Sequence, residues 1–253
     1  MSLGDLEVPA DLEEIERRSP LARTLITVLV TVVAVGVVLG GMVAVSTAMR
    51  TTETATNRVP VDDLPQISLR ATDADVSIVE GTGDELVVEA EVTSGLLGTD
   101  YELRRRGADL EIVDSCFGLV DRGCGVAVTV AVPADLPVEV VTETGAIRAD
   151  ALARPVLTLL TVAGDIVVTD LRVTELSATS DVGRIEASFA AEPAAVKATT
   201  RDGDIDVSLG SGDQEYRVDL RSDAEVTQAV ESVEAASAFV RLHSDDGAVT
   251  LRR

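Results

Sequence analysis

The sequence predicts an all-β exported domain, a β-solenoid or a layered β-repeat, preceded by one N-terminal transmembrane α-helix. Three observations lead to this prediction. A long uncharged segment lies near the N-terminus, a strand pattern recurs about every 20 residues, and the composition is apolar with very few aromatic side chains.

The composition favours a core of small, branched side chains. Hydrophobic residues make up 46% of the 253 residues, whereas aromatic residues make up 2% and Trp is absent. Val, Leu, Ile and Ala fill narrow sheet interiors well. The net charge of −23 repels nucleic acid and anionic lipid, so we expect no nucleic-acid partner. The acidic surface either keeps the protein soluble or forms an interaction face.

The uncharged segment from Thr24 to Met49 predicts a membrane-spanning helix. A helix of 26 residues is about 39 Å long, and the hydrocarbon core of a bilayer is about 30 Å thick. The alternative is a cleaved signal peptide, for which Ala44 and Ser46 would supply a small-residue cleavage site. The segment is longer than a signal-peptide core and follows a long acidic tail, which favours the uncleaved anchor.

Local cations predict the orientation of this helix. Three arginines lie just before it and two after it, which favours a cytoplasmic N-terminus at the cell membrane. We therefore divide the chain into four predicted segments: a cytoplasmic tail (1–23), the transmembrane helix (24–49), a linker rich in polar residues and Pro (50–65), and an extracytoplasmic β-repeat domain (66–253).

Five glycines mark the repeat: Gly145, Gly164, Gly183, Gly203 and Gly247. The first three intervals between them are 19, 19 and 20 residues, which indicates stacked repeats. Apolar residues lie seven and five positions before each glycine and two and four positions after it, and Ser or Thr lies three before. This spacing predicts two strands joined at a corner, where glycine can adopt a positive φ.

One such unit cannot bury its apolar face alone, so neighbouring units are expected to stack and to align equivalent side chains in columns. The Ser and Thr column is expected to face inward, where hydroxyls can bond to one another or to unpaired backbone groups. A further unit begins at Val218, with Glu225 at the glycine position. One buried column is expected to consist of Ile147, Ile166, Ile185 and Ile205.

Residues 66–135 fit the rule less well than the glycine-marked repeats of residues 136–253. Leu86–Val92 and Val126–Val132 alternate between apolar and other residues and predict additional strands. We expect residues 66–135 to form a more sheet-like N-terminal portion that covers one end of the stack, because solenoid edges need protection from pairing.

The segment VAVPADLPVEVVTETGAIRAD, residues 130–150, followed by the glycine-marked units, resembles a bacterial β-strand-repeat family of unknown function that is often labelled putative adhesin. The resemblance covers about residues 66–253. It implies a repetitive β-domain that is often tethered to a membrane.

The two cysteines, Cys116 and Cys124, lie eight residues apart between strand-like segments. In an exported domain this spacing predicts a disulfide that closes a loop and contributes about 2–3 kcal/mol. Gly81 and Gly83 lack the third glycine of a dinucleotide fingerprint, and the chain has no Walker lysine, so we expect a hairpin turn there.

No residue is predicted to be catalytic or to bind a cofactor or a metal. His243, the single histidine, alternates with buried positions and is expected to face solvent. Acidic corners around Gly203 and Gly247 leave two alternatives to consider, a calcium-stabilised surface scaffold and a polysaccharide-active β-helix enzyme. The residues concerned are Arg201, Asp202, Asp204, Asp245 and Asp246. Aspartate also favours turns by bonding to its own backbone, and the calcium-binding nonapeptide pattern is absent.

The sequence thus predicts a non-enzymatic, single-pass protein of the cell envelope. Its rigid β-repeat would present a surface for binding an envelope protein or another cell surface.

Overall fold

A computed structural model describes residues 20–48, 50–61, 64–94, 99–115 and 124–253. These residues form one helix and eighteen strands. The elements are α1 (Pro20–Ala48), β1 (Thr51–Pro60), β2 (Ile67–Ala71), β3 (Ala74–Glu80), β4 (Glu85–Ser94), β5 (Asp100–Arg106), β6 (Asp109–Ser115), β7 (Gly125–Val132), β8 (Val138–Thr144), β9 (Ile147–Asp150), β10 (Ala153–Ala163), β11 (Ile166–Val182), β12 (Ile185–Phe189), β13 (Ala195–Asp202), β14 (Ile205–Ser208), β15 (Tyr216–Ser222), β16 (Val226–Gln228), β17 (Ala238–Ser244) and β18 (Val249–Arg252).

The strands form two faces of a stack, which we call sheet A and sheet B. Sheet A has the order β1-β4-β7-β3-β9-β11-β12-β14-β18-β16. Sheet B has the order β5-β6-β2-β8-β10-β11-β13-β17-β15. The long strand β11 contributes its first half to sheet A and its second half to sheet B, so the two faces are continuous. The all-β, solenoid-like fold is confirmed.

Each layer of the stack consists of one strand in sheet B, a corner, and one strand in sheet A. Ile147, Ile166, Ile185 and Ile205 occupy equivalent positions in successive layers, and each is at most 1% exposed. The predicted column of isoleucines is therefore confirmed. Parallel, in-register pairing makes the same residue type suitable at the same position of every layer, which explains why the repeat is visible in the sequence.

The spatial order of the layers differs from the chain order near the C-terminus. The last strands, β17 and β18, lie between β13–β14 and β15–β16. The unit that begins at Val218 is therefore the outermost layer. Its corner is one residue shorter than the others, because Ser222 pairs with Ser244 and Val226 pairs with Val249. Gly247 lies two residues before Val249, so the equivalent residue in this layer is Ala224, two residues before Val226. The assignment of Glu225 to the glycine position is wrong.

The same inversion occurs at the other end. Strands β6 and β7 lie outside β2 and β3, which pair directly with β8 and β9. Antiparallel strands then extend the edge, with β5 on β6, β4 on β7 and β1 on β4. These three antiparallel pairings distinguish this end from the parallel layers of the stack.

Two local expectations fail at this end. Residues 51–60, predicted as part of the linker, form β1, which pairs along its whole length with β4. The segment from Gly81 to Asp84 is not a hairpin turn, because β7 lies between the two strands that it joins, β3 and β4. Residues 51–60 form a strand because they pair with β4, and no hairpin forms at Gly81 because β7 lies between β3 and β4. Both arrangements depend on pairing between segments that are distant in the chain.

Helix α1 exposes the apolar side chains that are described for it, including Leu25, Val32 and Val37. In the ranges that the structure describes, no helix meets the length and apolarity expected of a membrane span. The span predicted for residues 24–49 stays a prediction. Most of the predicted cytoplasmic tail, residues 1–23, lies outside the described residues.

Candidate binding surface

The marker glycines form a column at one edge of the stack. Gly164 lies between β10 and β11, and a Cβ added there would be 2.0 Å from the carbonyl oxygen of Gly145 in the neighbouring layer. A Cβ at Gly247 would be 1.9 Å from the carbonyl oxygen of Gly203. Gly145 also has a φ of +118°. Close approach between layers, more than the turn conformation, therefore requires glycine at these corners.

For the last four marker glycines, the hydroxyl three residues before the glycine bonds to a glycine carbonyl of the neighbouring layer, whereas Thr142 Oγ1 donates to the carbonyl of Thr144 at 2.7 Å. Ser180 Oγ donates to the carbonyl of Gly164 at 3.0 Å, and Thr200 Oγ1 donates to the carbonyl of Gly183 at 3.1 Å. Ser244 Oγ donates to the carbonyl of Gly203 at 2.7 Å. Ser180, Thr200 and Ser244 are each at most 1% exposed, so the predicted inward orientation of these hydroxyls is confirmed. Their acceptors are backbone carbonyls.

Aspartate follows the corner in every second layer, where its carboxylate accepts a backbone N–H of the next layer. The bonds are Ala146 N to Asp75 Oδ1 at 2.8 Å, Arg184 N to Asp165 Oδ1 at 2.8 Å, and Ala248 N to Asp204 Oδ1 at 2.9 Å. The residues that donate are Ala or Arg. This alternation gives the acidic corners a structural role, because each carboxylate pairs a backbone donor that the turn leaves open.

The five residues weighed as an acidic or catalytic cluster lie on adjacent layers at this edge, on either side of Gly203 and Gly247. Most have partners elsewhere: Arg201 pairs with Asp181 at 3.2 Å, Asp204 with Arg184 at 3.5 Å, and Asp245 with His243 at 3.0 Å. Across the described ranges, no three His, Cys, Asp or Glu residues are grouped as metal ligands. This edge of the stack is therefore a row of exposed side chains joined by ion pairs.

A different group of polar residues lies on the outer surface of sheet B, where β13, β17 and β15 are neighbours. Register places Arg241 between Lys197 and Asp219, and His243 between Thr199 and Arg221. We call these six residues the outer cluster. They are the outward residues that alternate with buried Val196, Ala198, Val240 and Leu242. His243 is 43% exposed, as expected from the alternation.

The outer cluster surrounds a depression of about 420 Å³, which Thr199, Asp219, Arg221, Arg241 and His243 line over buried Leu242. Asp219 joins the two arginines: its Oδ1 lies 3.2 Å from Arg221 Nε and its Oδ2 lies 3.4 Å from Arg241 Nε. His243 Nε2 contacts Asp245, and His243 Nδ1 is buried without a hydrogen-bond partner among the described residues.

Lys197 extends the positive charge on one side of this depression. Its Nζ lies 5.6 Å from the centre of the Phe239 ring, within the range of a cation–π contact. Lys197 is the single lysine of the chain. The outer cluster therefore holds one lysine, two arginines and one carboxylate on a protein whose net charge is −23.

Sequence reasoning missed the outer cluster apart from His243. A signal was present, because the outward positions lie six and four residues before each glycine. In the first three glycine-marked units these positions hold Glu139 and Val141, Thr158 and Leu160, and Ser177 and Thr179. Cations appear there only from Lys197 onward. The juxtaposition of Arg221 with His243 also required the inverted order of the last two layers.

Cys124 lies directly before β7, and Cys116 lies outside the described residues. The disulfide between them stays a prediction.

The regular layers and the glycine column characterise residues 136–253 as a repeat scaffold. Residues 136–252 match the family model Toastrack DUF4097. The outer cluster lies within the Toastrack match, as do all five marker glycines. The match confirms the resemblance to a β-repeat family of unknown function. No curated protein matches the chain.

Several solved structures are similar to the chain at low identity. A putative cell adhesion protein from Clostridium sporogenes is 12% identical over 80% of this chain and 99% of that chain, with a TM-score of 0.49. A putative adhesin from Bacteroides fragilis is 12% identical over 80% of this chain and 97% of that chain, also with a TM-score of 0.49. A putative lipid binding protein from Parabacteroides distasonis is 10% identical over 79% of this chain and 96% of that chain, with a TM-score of 0.33. Likeness at this level does not identify a ligand for this chain.

Proposed function

We propose that this protein is a non-enzymatic, membrane-anchored component of the cell envelope whose β-repeat presents a rigid surface for binding a protein or another cell surface. The observation that carries the proposal is the outer face of sheet B. In-register layers hold its outward side chains in fixed rows, and buried hydroxyl-to-backbone bonds connect the layers at the corner. A preorganised surface loses little conformational entropy when it binds.

The non-enzymatic part rests on how the polar groups are used. The corner carboxylates of Asp75, Asp165 and Asp204 accept backbone N–H groups. A general acid or base needs a carboxyl that can exchange a proton with a substrate, which a carboxylate engaged in holding a turn is poorly suited to do. The pairing of His243 with exposed Asp245 lacks a nucleophile in hydrogen-bond contact among the described residues.

The anchoring part rests on the sequence of residues 24–49, which contains no charge. Ten apolar side chains from Leu25 to Val38 are each at least 42% exposed and occupy all sides of α1, which favours an apolar surrounding. We place the N-terminus in the cytoplasm and the β-repeat outside. The predicted disulfide of Cys116 and Cys124 fits an oxidising location.

Fractionation tests the anchor. The full chain is expected to remain in the membrane pellet after alkaline carbonate extraction. A Val33→Arg/Val35→Arg variant should move toward the soluble fraction, because charged residues in a bilayer core are costly. Val162→Arg, which alters an exposed valine of β10, is the control and should remain in the pellet. Wild-type protein in the soluble fraction would contradict anchoring.

Crosslinking on intact cells tests the binding surface. A photoreactive residue replaces Ser177, an outward residue of sheet B outside the outer cluster, or Arg148 on the outer face of sheet A. The proposal predicts a saturable adduct from position 177 that excess purified full-length protein competes away. Absence of a competed adduct from both positions would contradict a role in binding.

A further inference from the structure

The outer cluster concentrates positive charge on an otherwise strongly acidic protein. Lys197, Arg221 and Arg241 belong to three neighbouring strands, so their proximity arises from the stacking of layers and not from one basic segment. Arg221 and Arg241 remain 71% and 60% exposed in their side chains. Cations held together against their mutual repulsion indicate a site for negative charge.

Asp219 arranges the two arginines for such a site. Each of its carboxylate oxygens contacts an Nε atom, one on Arg221 and one on Arg241. No partner among the described residues is seen for the terminal Nη groups of these two arginines. A guanidinium whose Nε is engaged can still present its Nη donors to an oxyanion. Asp219 is therefore a positioning residue that orients the guanidinium groups of Arg221 and Arg241 at the depression.

One further donor completes the depression, the hydroxyl of Thr199 on β13. The ring of His243, whose Nε2 contacts Asp245, lines it beside Thr199. The side chains that line the depression are polar and can bond to sugar hydroxyls, whereas Leu242 between them is fully buried and faces the core. A volume of about 420 Å³ falls in the range of small-molecule sites, about 300–1,000 Å³.

We propose that the outer cluster binds a single compact oxyanion, a carboxylate or a phosphate carried on a saccharide. Arg221 and Arg241 hold the oxyanion through their Nη groups, and Thr199 donates a hydrogen bond to it. This inference rests on the proposed function and deepens it, because it names the ligand chemistry at the binding surface.

The surroundings limit the ligand to one charged group. Asp181 and Asp245 lie at the corner next to the outer cluster, and Asp219 lies within it. A second anionic group on the same ligand would approach these carboxylates. Together with the net charge of −23, they favour a monosaccharide or a short oligosaccharide over a long polyanion.

Isothermal titration calorimetry on the full chain in a zwitterionic detergent tests the proposal. The probes are inorganic phosphate, glucuronic acid, glucose 6-phosphate, glucose and heparin. We expect both charged sugars to bind more tightly than glucose, and inorganic phosphate to bind more weakly than glucose 6-phosphate because it lacks the ring. Heparin should not exceed the charged monosaccharides in affinity.

Variants identify the site. Arg221→Gln/Arg241→Gln should weaken binding of the charged sugars by about tenfold or more, since it removes two charge-assisted donors. Thr199→Val should weaken it by a smaller factor without changing the net charge. Arg148→Gln, on the opposite face, removes one positive charge and should leave the affinity unchanged.

Equal affinity for glucose and glucuronic acid, or an equal loss from Arg148→Gln, would overturn the inference. Tighter binding of heparin than of any monosaccharide would overturn the single-oxyanion part. The crosslinking from position 177 separates this result from the proposed function. If the competed adduct persists in Arg221→Gln/Arg241→Gln while no sugar binds the wild type, the binding role stands and the oxyanion site is wrong.

Discussion

The hydroxyl of Ser244 donates a 2.7 Å hydrogen bond to the backbone carbonyl of Gly203 in the adjacent layer. Both residues belong to corners that recur along the stack, and Ser244 is fully buried. The acceptor, the Gly203 carbonyl oxygen, would also lie 1.9 Å from a Cβ added to Gly247. The hydroxyl and the glycine are thus two requirements of one contact between layers.

Replacing Gly247 with Ala should destabilise the stack by about 2–4 kcal/mol, because the added methyl must displace the backbone of the neighbouring corner. Thermal unfolding followed by circular dichroism measures the effect. Gly83→Ala is the matched control, since a Cβ at that position meets no atom within 4 Å. Equal melting temperatures for the two variants would contradict the close-approach argument.

Ser244→Val should cost about 1–3 kcal/mol, because it leaves the Gly203 carbonyl without its buried donor. Ser244→Thr is the matched control. Threonine has nearly the same shape as valine and keeps the hydroxyl, and Thr200 and Thr161 occupy the equivalent position in other layers. Denaturant unfolding should place the Thr variant close to the wild type, whereas similar losses for both variants would attribute the effect to volume.

Tyr216 should make the protein less stable in strong alkali. Burial, helped by the carboxylate of Glu192 and opposed by Arg253, raises the pKa of Tyr216 to about 12. The contribution is complete below the unfolded pKa of about 10 and is lost as the pH rises toward 12, because the unfolded chain releases the proton first. Tyr216→Phe should reduce this loss in unfolding measured from pH 9 to pH 12.

Tyr101→Phe provides the comparison, since burial also raises the pKa of Tyr101. Each variant should remove part of the alkaline loss. A pH profile of Tyr216→Phe identical to that of the wild type would show that Tyr216 ionises as easily in the folded protein as in the unfolded chain.

Arg154→Ala should destabilise the connection between β7 and β8 by about 2–4 kcal/mol. Arg154 is 3% exposed, and its Nη1 donates to the carbonyls of Pro133 and Leu136 at 3.4 Å each. Burial lowers the pKa of Arg154, which reflects the cost of keeping this charge from water. Arg154→Met keeps most of the volume and removes that cost, so it should lose less stability than Arg154→Ala in denaturant unfolding.

Asp219→Asn should weaken binding of glucuronic acid by about threefold to tenfold, although it makes the protein less negative. The physical reason is the loss of a carboxylate that contacts both Arg221 Nε and Arg241 Nε. Asp206→Asn, which alters a carboxylate paired with Arg252 in sheet A, makes the same charge change elsewhere and should not weaken binding. Calorimetry on both variants separates orientation from net charge, and tighter binding by Asp219→Asn would assign Asp219 a purely repulsive effect.

The layers could be predicted from the sequence because parallel, in-register stacking repeats the same environment at Ile147, Ile166, Ile185 and Ile205. Local periodicity does not encode which layer lies beside which. The placement of β17–β18 inside β15–β16, and of β2–β3 inside β6–β7, depends on pairing between segments far apart in the chain.

The candidate site shows the same division. His243 could be assigned to the outer surface from alternation alone. Its neighbours Thr199 and Arg221 could not be assigned, because β17 lies between β13 and β15 only after the chain has reversed the order of its last layers.

The position of β17–β18 also has a consequence for synthesis of the chain. Residues 195–208 and 216–228 emerge before residues 238–252, yet the first two segments make their permanent contacts with each other only through the third. Layers nearer the N-terminus can assemble in the order of synthesis. At the C-terminal end, β13–β14 and β15–β16 each keep an unpaired β-edge until β17–β18 has been made. A chain that stalls or is cleaved before residue 238 therefore exposes strands with unpaired backbone groups. Such a chain is open to proteolysis and aggregation, so only the completed chain closes this end of the stack.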